Sequence, residues 1–173
     1  LCDEFPIGTD KKILDWLEKR KGMFVFLGSP GIGKTQLCAS FYELIEGKFS
    51  WRYYCESEFF GKLKKGMSEG WDSSQHAENM LDDFFIMYDD LGSASSSEWS
   101  NEIIFHIINY RSDLNYPTVI TSNLTSQQIF DKYGQRTYDR LFHKDNLIFQ
   151  FHDLPSRRTG NSYLPKVETK GKP

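Results

Sequence analysis

Cysteine is scarce in this chain: three residues of 173, Cys2, Cys38 and Cys55. An odd count with no C-x-x-C spacing offers neither a disulfide framework nor a zinc site, and reads as reduced thiols in a cytoplasmic protein. The four histidines, His76, His106, His143 and His152, form no H-E-x-x-H and no paired-ligand spacing, so they read as structural or surface residues. No apolar run approaches the roughly 18 residues of a membrane span. No signal-peptide pattern opens the chain, and the start Leu1-Cys2-Asp3, without Met, suggests a trimmed fragment. An excess of one charge is also lacking, with 21 basic against 24 acidic residues and a net charge of −3. That balance argues against coating nucleic acid by bulk charge and leaves room only for a local basic groove.

Aromatic residues, by contrast, make up 16% of the chain. So much ring area to bury excludes wholesale disorder, and the length suits one domain. Thr9-Asp10 can cap a short helix with Ile13, Leu14 and Leu17 on one face. Met23 to Leu27 is a continuous apolar run, as expected for a strand covered on both faces. A glycine-rich loop leads into a helix from about Lys34 to Glu46. Further strands are expected at 51–55, 84–88, 118–122 and 147–151. Helices are expected at 57–65, 75–82, 98–113, 126–133 and 135–142, with Gly66 to Ser74 a loop and Gly134 separating the last two helices. In the helix 98–113, Ile103, Ile107 and Tyr110 recur at helical spacing with Ile104 and Ile108 alongside. Alternating strands and helices predict an α/β fold with a five-stranded, mostly parallel sheet and helices on both faces. The end from Thr159 to Pro173 reads as a polar tail.

Gly28-Ser29-Pro30-Gly31-Ile32-Gly33-Lys34-Thr35 matches G-x-x-x-x-G-K-[ST], between a predicted buried strand and a predicted helix. Glycines let successive backbone N–H groups turn inward around phosphate oxygens, and the helix N-terminus adds to the attraction. Lys34 supplies a point charge for the β- and γ-phosphates, and the Thr35 hydroxyl suits Mg²⁺. The strand Phe84 to Tyr88 runs into Asp89-Asp90, and apolar packing does not explain that pair. At a strand's carboxyl end, Asp89 is placed to hold the Mg²⁺ shell and Asp90 to orient a water. Asn123 closes the strand Thr118 to Ser122, and would approach the γ-phosphate if that strand lies between the first and third; otherwise it is a turn or helix-cap residue. Arg136 and Arg140 share a helix face, and Arg157 and Arg158 follow the fifth strand. Arginine is the natural charge for a phosphoryl-transfer site supplied from a neighbouring subunit, though a surface Arg is often only solvated.

These stretches resemble the AAA+ class of P-loop NTPases, and within it the DnaC/DnaI/IstB-like branch of replicative helicase loaders and transposition helper ATPases. The resemblance rests on Gly28 to Leu37, Tyr88-Asp89-Asp90-Leu91-Gly92, Tyr110-Arg111, Pro117 to Leu124 and Arg136 to Leu141. It covers about residues 22–158, with 1–21 as a lead-in helix. It implies ATP and Mg²⁺ as cofactors, held by Gly28 through Gln36 and by Asp89. It implies Asp90 as the catalytic carboxylate, Asn123 as sensor 1 and Arg140 as an in-trans arginine finger. Arg157 or Arg158 takes the sensor 2 position. The family's strand order places the fourth strand between the first and third.

The resemblance further implies self-assembly on ATP binding, a replicative DNA helicase as partner, and single-stranded DNA contact by the segment Glu56 to Asp83. There Lys62, Lys64 and Lys65 lie near Phe59, Phe60 and Trp71, a mixture suited to phosphate contact and base stacking. The same pattern also fits a helix whose Phe59, Phe60 and Leu63 face the core. A transposition helper would share nearly every motif. A small P-loop kinase acting on a metabolite and an ATP-gated adaptor remain as further readings.

Overall fold

A computed structural model of the chain describes residues 9–48, 50–70, 72, 77 and 83–151. Its elements are α1 (Thr9–Lys19), β1 (Met23–Gly28), α2 (Lys34–Ile45), β2 (Trp51–Cys55), α3 (Glu56–Ser68), β3 (Phe85–Leu91), α4 (Glu98–Asp113), β4 (Thr118–Ser122), α5 (Ser126–Leu141) and β5 (Leu147–Phe151). The strands form one sheet in the order β2-β3-β4-β1-β5, and every pairing is parallel. The expected α/β sheet is therefore present, with β4 between β1 and β3. No helix among the described residues is long and apolar enough to cross a membrane.

Strand side chains alternate between two cores. Met23, Val25, Leu27, Ile86, Tyr88 and Ile120 point into the layer of α3, α4 and α5, where they meet Phe59, Leu63, Ile104, Ile107 and Ile129. Phe24, Phe26, Phe85, Met87 and Val119 point the other way, onto Ile13, Trp16, Leu37, Phe41 and Ile45 of α1 and α2. The continuous apolar runs of β1 and β3 follow from this double covering. On the second face Trp16 packs within 5.9 Å of the rings of Phe24, Phe41 and Phe85, so α1 is fastened to the sheet by aromatic edges.

Several expectations shift. On α1 the buried face is Ile13 and Trp16, while Leu14 is exposed, because the larger indole takes the groove against the sheet. α3 runs through Gly66 to Ser68 rather than ending near Lys65. Gly66 is buried there. On α4 Tyr110 is exposed and Arg111 takes the inward place. α5 is hydrogen-bonded across Gly134, whose φ of 78° and ψ of 172° kink it into the two expected pieces. The expected helix at 75–82 and the tail beyond Phe151 fall outside the described residues, apart from Ala77, which is helical.

Arg111 is fully buried yet richly partnered. Its Nε donates to Thr118 Oγ1 at 2.6 Å, and its Nη atoms donate to the carbonyls of Asp83, Phe84 and Pro117 at 2.8 to 3.0 Å. The guanidinium also lies 5.2 Å from the Tyr116 ring. It thus ties the amino ends of β3 and β4 together, at the sheet edge opposite the phosphate loop. Burial draws its pKa down to about 10, which leaves it charged at neutral pH. Arg111→Met should leave these acceptors unpaired and cost about 2–4 kcal/mol, measured by urea unfolding; an unchanged midpoint would show the anchor to be dispensable.

Candidate active site

The phosphate loop joins β1 to α2. Gly31 and Gly33 adopt φ of 86° and 102°, the left-handed region that glycine enters freely. Gly28 is different. Its φ is ordinary, but a Cβ there would meet Ile32 Cδ1 at 2.0 Å and the Phe151 carbonyl at 2.8 Å. Close packing of the loop onto β5 therefore demands glycine at 28, rather than the turning role expected for it.

Lys34 opens α2 and is buried. Its Nζ donates to the carbonyls of Gly28 and Ser29 at 2.8 and 3.0 Å and to Asn123 Oδ1 at 2.6 Å. Asn123 in turn donates through Nδ2 to Asp90 Oδ1 at 2.7 Å. Thr35 Oγ1 donates to Asp89 Oδ2 at 3.0 Å. Residues drawn from three separate stretches thus meet at the carboxyl ends of three adjacent strands, β3, β4 and β1. An open cleft of about 440 Å³ is lined there by Pro30, Gly31, Gly33, Lys34, Thr35, Gln36, Asp90 and Asn123, with Asp89 buried behind Thr35.

Two adjacent strand residues would normally face opposite sides of the sheet. Here the β3–β4 register shifts: Tyr88 pairs with Ile120 but Leu91 with Ser122, so one extra residue is accommodated in β3. Asp90 sits in this bulge with φ 64°. The bulge lets Asp89 reach Thr35 while Asp90 reaches Asn123. Thr121 holds it in place, its hydroxyl donating to Asp89 Oδ1 and accepting from the Asp90 N–H at 3.0 Å. Tyr53 on β2 donates its hydroxyl to Asp89 Oδ2 at 2.7 Å. Burial, and then the bond to Asp89, push the Tyr53 phenol up, so it stays a donor. Burial and Asp89's charge likewise push the Cys38 thiol up, which leaves it inert beneath the site.

Thr121 and Tyr53 were not singled out from sequence. A signal for Thr121 existed, namely polar residues inside an otherwise fully buried strand. Tyr53 gave none, since an aromatic in a strand reads as packing.

The donor set fits Mg²⁺. Thr35 Oγ1 and Asp89 Oδ2 are hard oxygens close together beside the phosphate loop, and Mg²⁺ is typically held by one or two carboxylates with phosphates and waters completing the shell. Among the described residues no cluster of three or more His, Cys, Asp or Glu offers a cation an all-protein cage.

Arg140 lies away from its own cleft. It is exposed on α5, donating to Asn109 Oδ1 at 3.0 Å and lying 3.9 Å from Asp113. Arg136 on the same helix stacks over Phe105 at 4.0 Å. Lys62, Lys64 and Lys65 are exposed on α3, whereas Phe59, Phe60 and Leu63 are buried, so the two phenylalanines belong to the core. Arg157, Arg158 and Trp71 lie outside the described residues.

A parallel sheet in this order, a phosphate loop after its β1 strand and an acidic bulge at the exit of β3 define a P-loop nucleotide-binding domain of the AAA+ class. The chain belongs to the family of IstB-like ATP binding proteins, whose family model matches residues 9–167. It is 28% identical over 145 residues to the replicative helicase loader DnaC of Escherichia coli strain K12, covering 81% of this chain and 59% of that relative's length. The crystal structure of the DnaC helicase loader shares the fold with a TM-score of 0.67 at 24% identity, over 84% of this chain and 92% of that one. The replication initiator DnaA bound to AMPPCP and single-stranded DNA shares it with a TM-score of 0.69 at 17% identity, over 88% and 49%.

Thr121→Val keeps the side-chain volume but removes both hydrogen bonds of the bulge. It should lower stability by about 1–3 kcal/mol. A larger effect is expected on ATP turnover, with Thr121→Ser close to wild type. Denaturant unfolding alongside a phosphate-release assay checks this, and equal turnover in Val and wild type would count against the bulge as a catalytic support.

Proposed function

We propose that this chain is the Mg²⁺-dependent, ATP-hydrolysing AAA+ domain of a replicative helicase loader, working by assembly with further copies. The observation that carries the reading is the division of parts. Lys34, Thr35, Asp89, Asp90 and Asn123 converge on one cleft, while Arg140 projects from the outside of the same subunit.

In this reading the loop's backbone N–H groups and Lys34 take the β- and γ-phosphates. Thr35 and Asp89 hold Mg²⁺, which when bound neutralises charge on the phosphoryl oxygens. Asp90, on the cleft side of the bulge, orients the attacking water and accepts its proton. Asn123 lies between Lys34 and Asp90, where its amide can bond both the water and the γ-phosphate. Arg140 of a neighbouring copy supplies the remaining positive charge for the transferring phosphoryl group. The loader assignment is supported by the similarity to DnaC, and ATP as the nucleotide by the family match.

Arg140→Ala should leave ATP binding by the separate subunit intact and abolish hydrolysis that depends on assembly, a loss of about a hundredfold or more. Binding is read by a fluorescent ATP analogue and turnover by phosphate release over a range of protein concentrations. Full turnover in the variant would remove the in-trans role. A pull-down offering a replicative helicase and a transposase side by side tests the partner.

Single-stranded DNA is expected to meet the exposed lysines of α3 through its phosphates, because Phe59 and Phe60 are committed to the core and leave no rings from that pair to stack on bases. Changing Lys62, Lys64 and Lys65 together to Ala should therefore weaken DNA binding about equally for all sequences and flatten its salt dependence by up to roughly two units of log–log slope. Fluorescence anisotropy at several salt concentrations measures it; an unchanged slope would place the DNA elsewhere.

A further inference from the structure

Glu56 is a buried carboxylate that the scheme above leaves unused. It is the first residue of α3, directly after β2. Its Oε2 accepts from the Gly92 N–H, and its Oε1 from the Tyr133 hydroxyl at 3.2 Å. Burial pushes its carboxyl up, and Gly92, Lys132, Tyr133 and the Ser93 N–H all draw it back. A buried carboxylate is costly to keep unless it is fully hydrogen-bonded.

Lys132 of α5 approaches the same loop from its other side. Its ammonium donates to the carbonyls of Gly92 and Ala94 at 2.8 and 3.0 Å. Asn101 of α4 donates to the Lys132 carbonyl at 2.9 Å, fixing the turn of α5 from which that side chain departs. The N–H side of the Gly92–Ala94 segment is thus held by an anion and its carbonyl side by a cation. Gly92 has φ 99°, and a Cβ there would meet Leu124 Cδ1 at 2.5 Å, so only glycine lets the segment lie against Leu124, just beyond β4. Just upstream is Asp90, in a left-handed conformation that a non-glycine residue holds only when its surroundings over-determine it.

We propose that Glu56 and Lys132 are positioning residues for hydrolysis: they clamp the Gly92–Ala94 segment from opposite sides and so set the Asp90 carboxylate against Asn123. The proposal rests on the reading of Asp90 as the residue that orients the attacking water. The clamp draws its two charges from α3, which carries the exposed lysines, and α5, which carries Arg140. The two helices are linked where the Tyr133 hydroxyl of α5 donates to Glu56 of α3.

The test uses the assembled protein carrying Glu56→Leu or Lys132→Met, each beside its conservative counterpart, Glu56→Gln or Lys132→Arg. The disruptive variants should lose about tenfold or more in kcat, while KM for ATP and affinity for a non-hydrolysable analogue change less than about threefold. The conservative variants, which keep an acceptor for Gly92 or a donor for its carbonyl, should recover most of the rate. The proposal is overturned if Glu56→Leu and Lys132→Met turn over ATP like wild type. It is equally overturned if kcat, analogue affinity and thermal midpoint fall together, which marks a structural role only. Should Glu56→Leu not fold, the half-buried Lys132→Met decides alone. A wild-type assembly that hydrolyses no ATP overturns the ATPase reading itself, an outcome distinct from an active wild type with active variants.

Discussion

One hydroxyl group governs the geometry of this domain. Thr121 Oγ1 has one proton to give and lone pairs to accept with, and it gives the proton to Asp89 while accepting from the Asp90 backbone. That pair of bonds holds an extra residue in β3 beside β4. Without the bulge, Asp89 and Asp90 would face opposite layers of the sheet, and one of them would be driven into an apolar core. With it, the first carboxylate serves Thr35 and the second serves Asn123.

The rest of the molecule can be understood as support for that junction. Two layers of aromatic and aliphatic side chains clamp the sheet from both faces, so β1, β3 and β4 cannot slide without opening close-packed cores. At the far edge Arg111 ties β3 to β4 through Asp83, Phe84, Pro117 and Thr118. At the near edge Ser122 Oγ donates to the Leu91 carbonyl at 2.5 Å and accepts from the Leu124 N–H at 3.0 Å. The register between the two strands is therefore fixed above and below the bulge. Two residues beyond Asn123, Thr125 forms a capping box with Gln128, so α5 starts at a set distance from the site.

α5 consequently connects the cleft to a surface that faces outward. Its first half carries Lys132 against the Asp90 segment, and its second half, beyond the kink at Gly134, carries Arg140. Asn146 ties the end of that second half back to the sheet, donating to the carbonyls of Arg140 and Leu141 and accepting from the Met23 N–H at 3.0 Å. The base of Arg140 is thus anchored on β1, the strand that leads into the phosphate loop, while its guanidinium reaches solvent.

Much of the candidate site's convergence was legible in the sequence, because a glycine-rich loop and polar strand ends stand out at short spacing. Gly31, Gly33, Lys34 and Thr35 sit together on one loop, and Asp89, Asp90 and Asn123 end apolar runs that their own strands explain. What stayed hidden depended on non-local contact. Leu14 and Tyr110 have the right periodicity for a buried face, yet Trp16 and Arg111 occupy it, since the shape of the opposing sheet chooses between neighbouring positions on a helix. Phe59 and Phe60 are equally good as base-stacking rings or core residues until the packing of α3 on β3 decides. Glu56 stands in the sequence only as the first residue of the segment Glu56 to Asp83, outside the helix expected at 57–65.

By itself, then, the sequence determined the strand-and-helix alternation, the phosphate loop and the identity of the polar residues at the strand ends, because each depends on residues close together in the chain. Only the tertiary structure decided the order of the strands, the bulge that turns Asp89 and Asp90 to one site, and the burial of Glu56 against the Gly92 segment. Those features arise from hydrogen bonds between elements tens of residues apart, where geometry rather than residue type selects the partner.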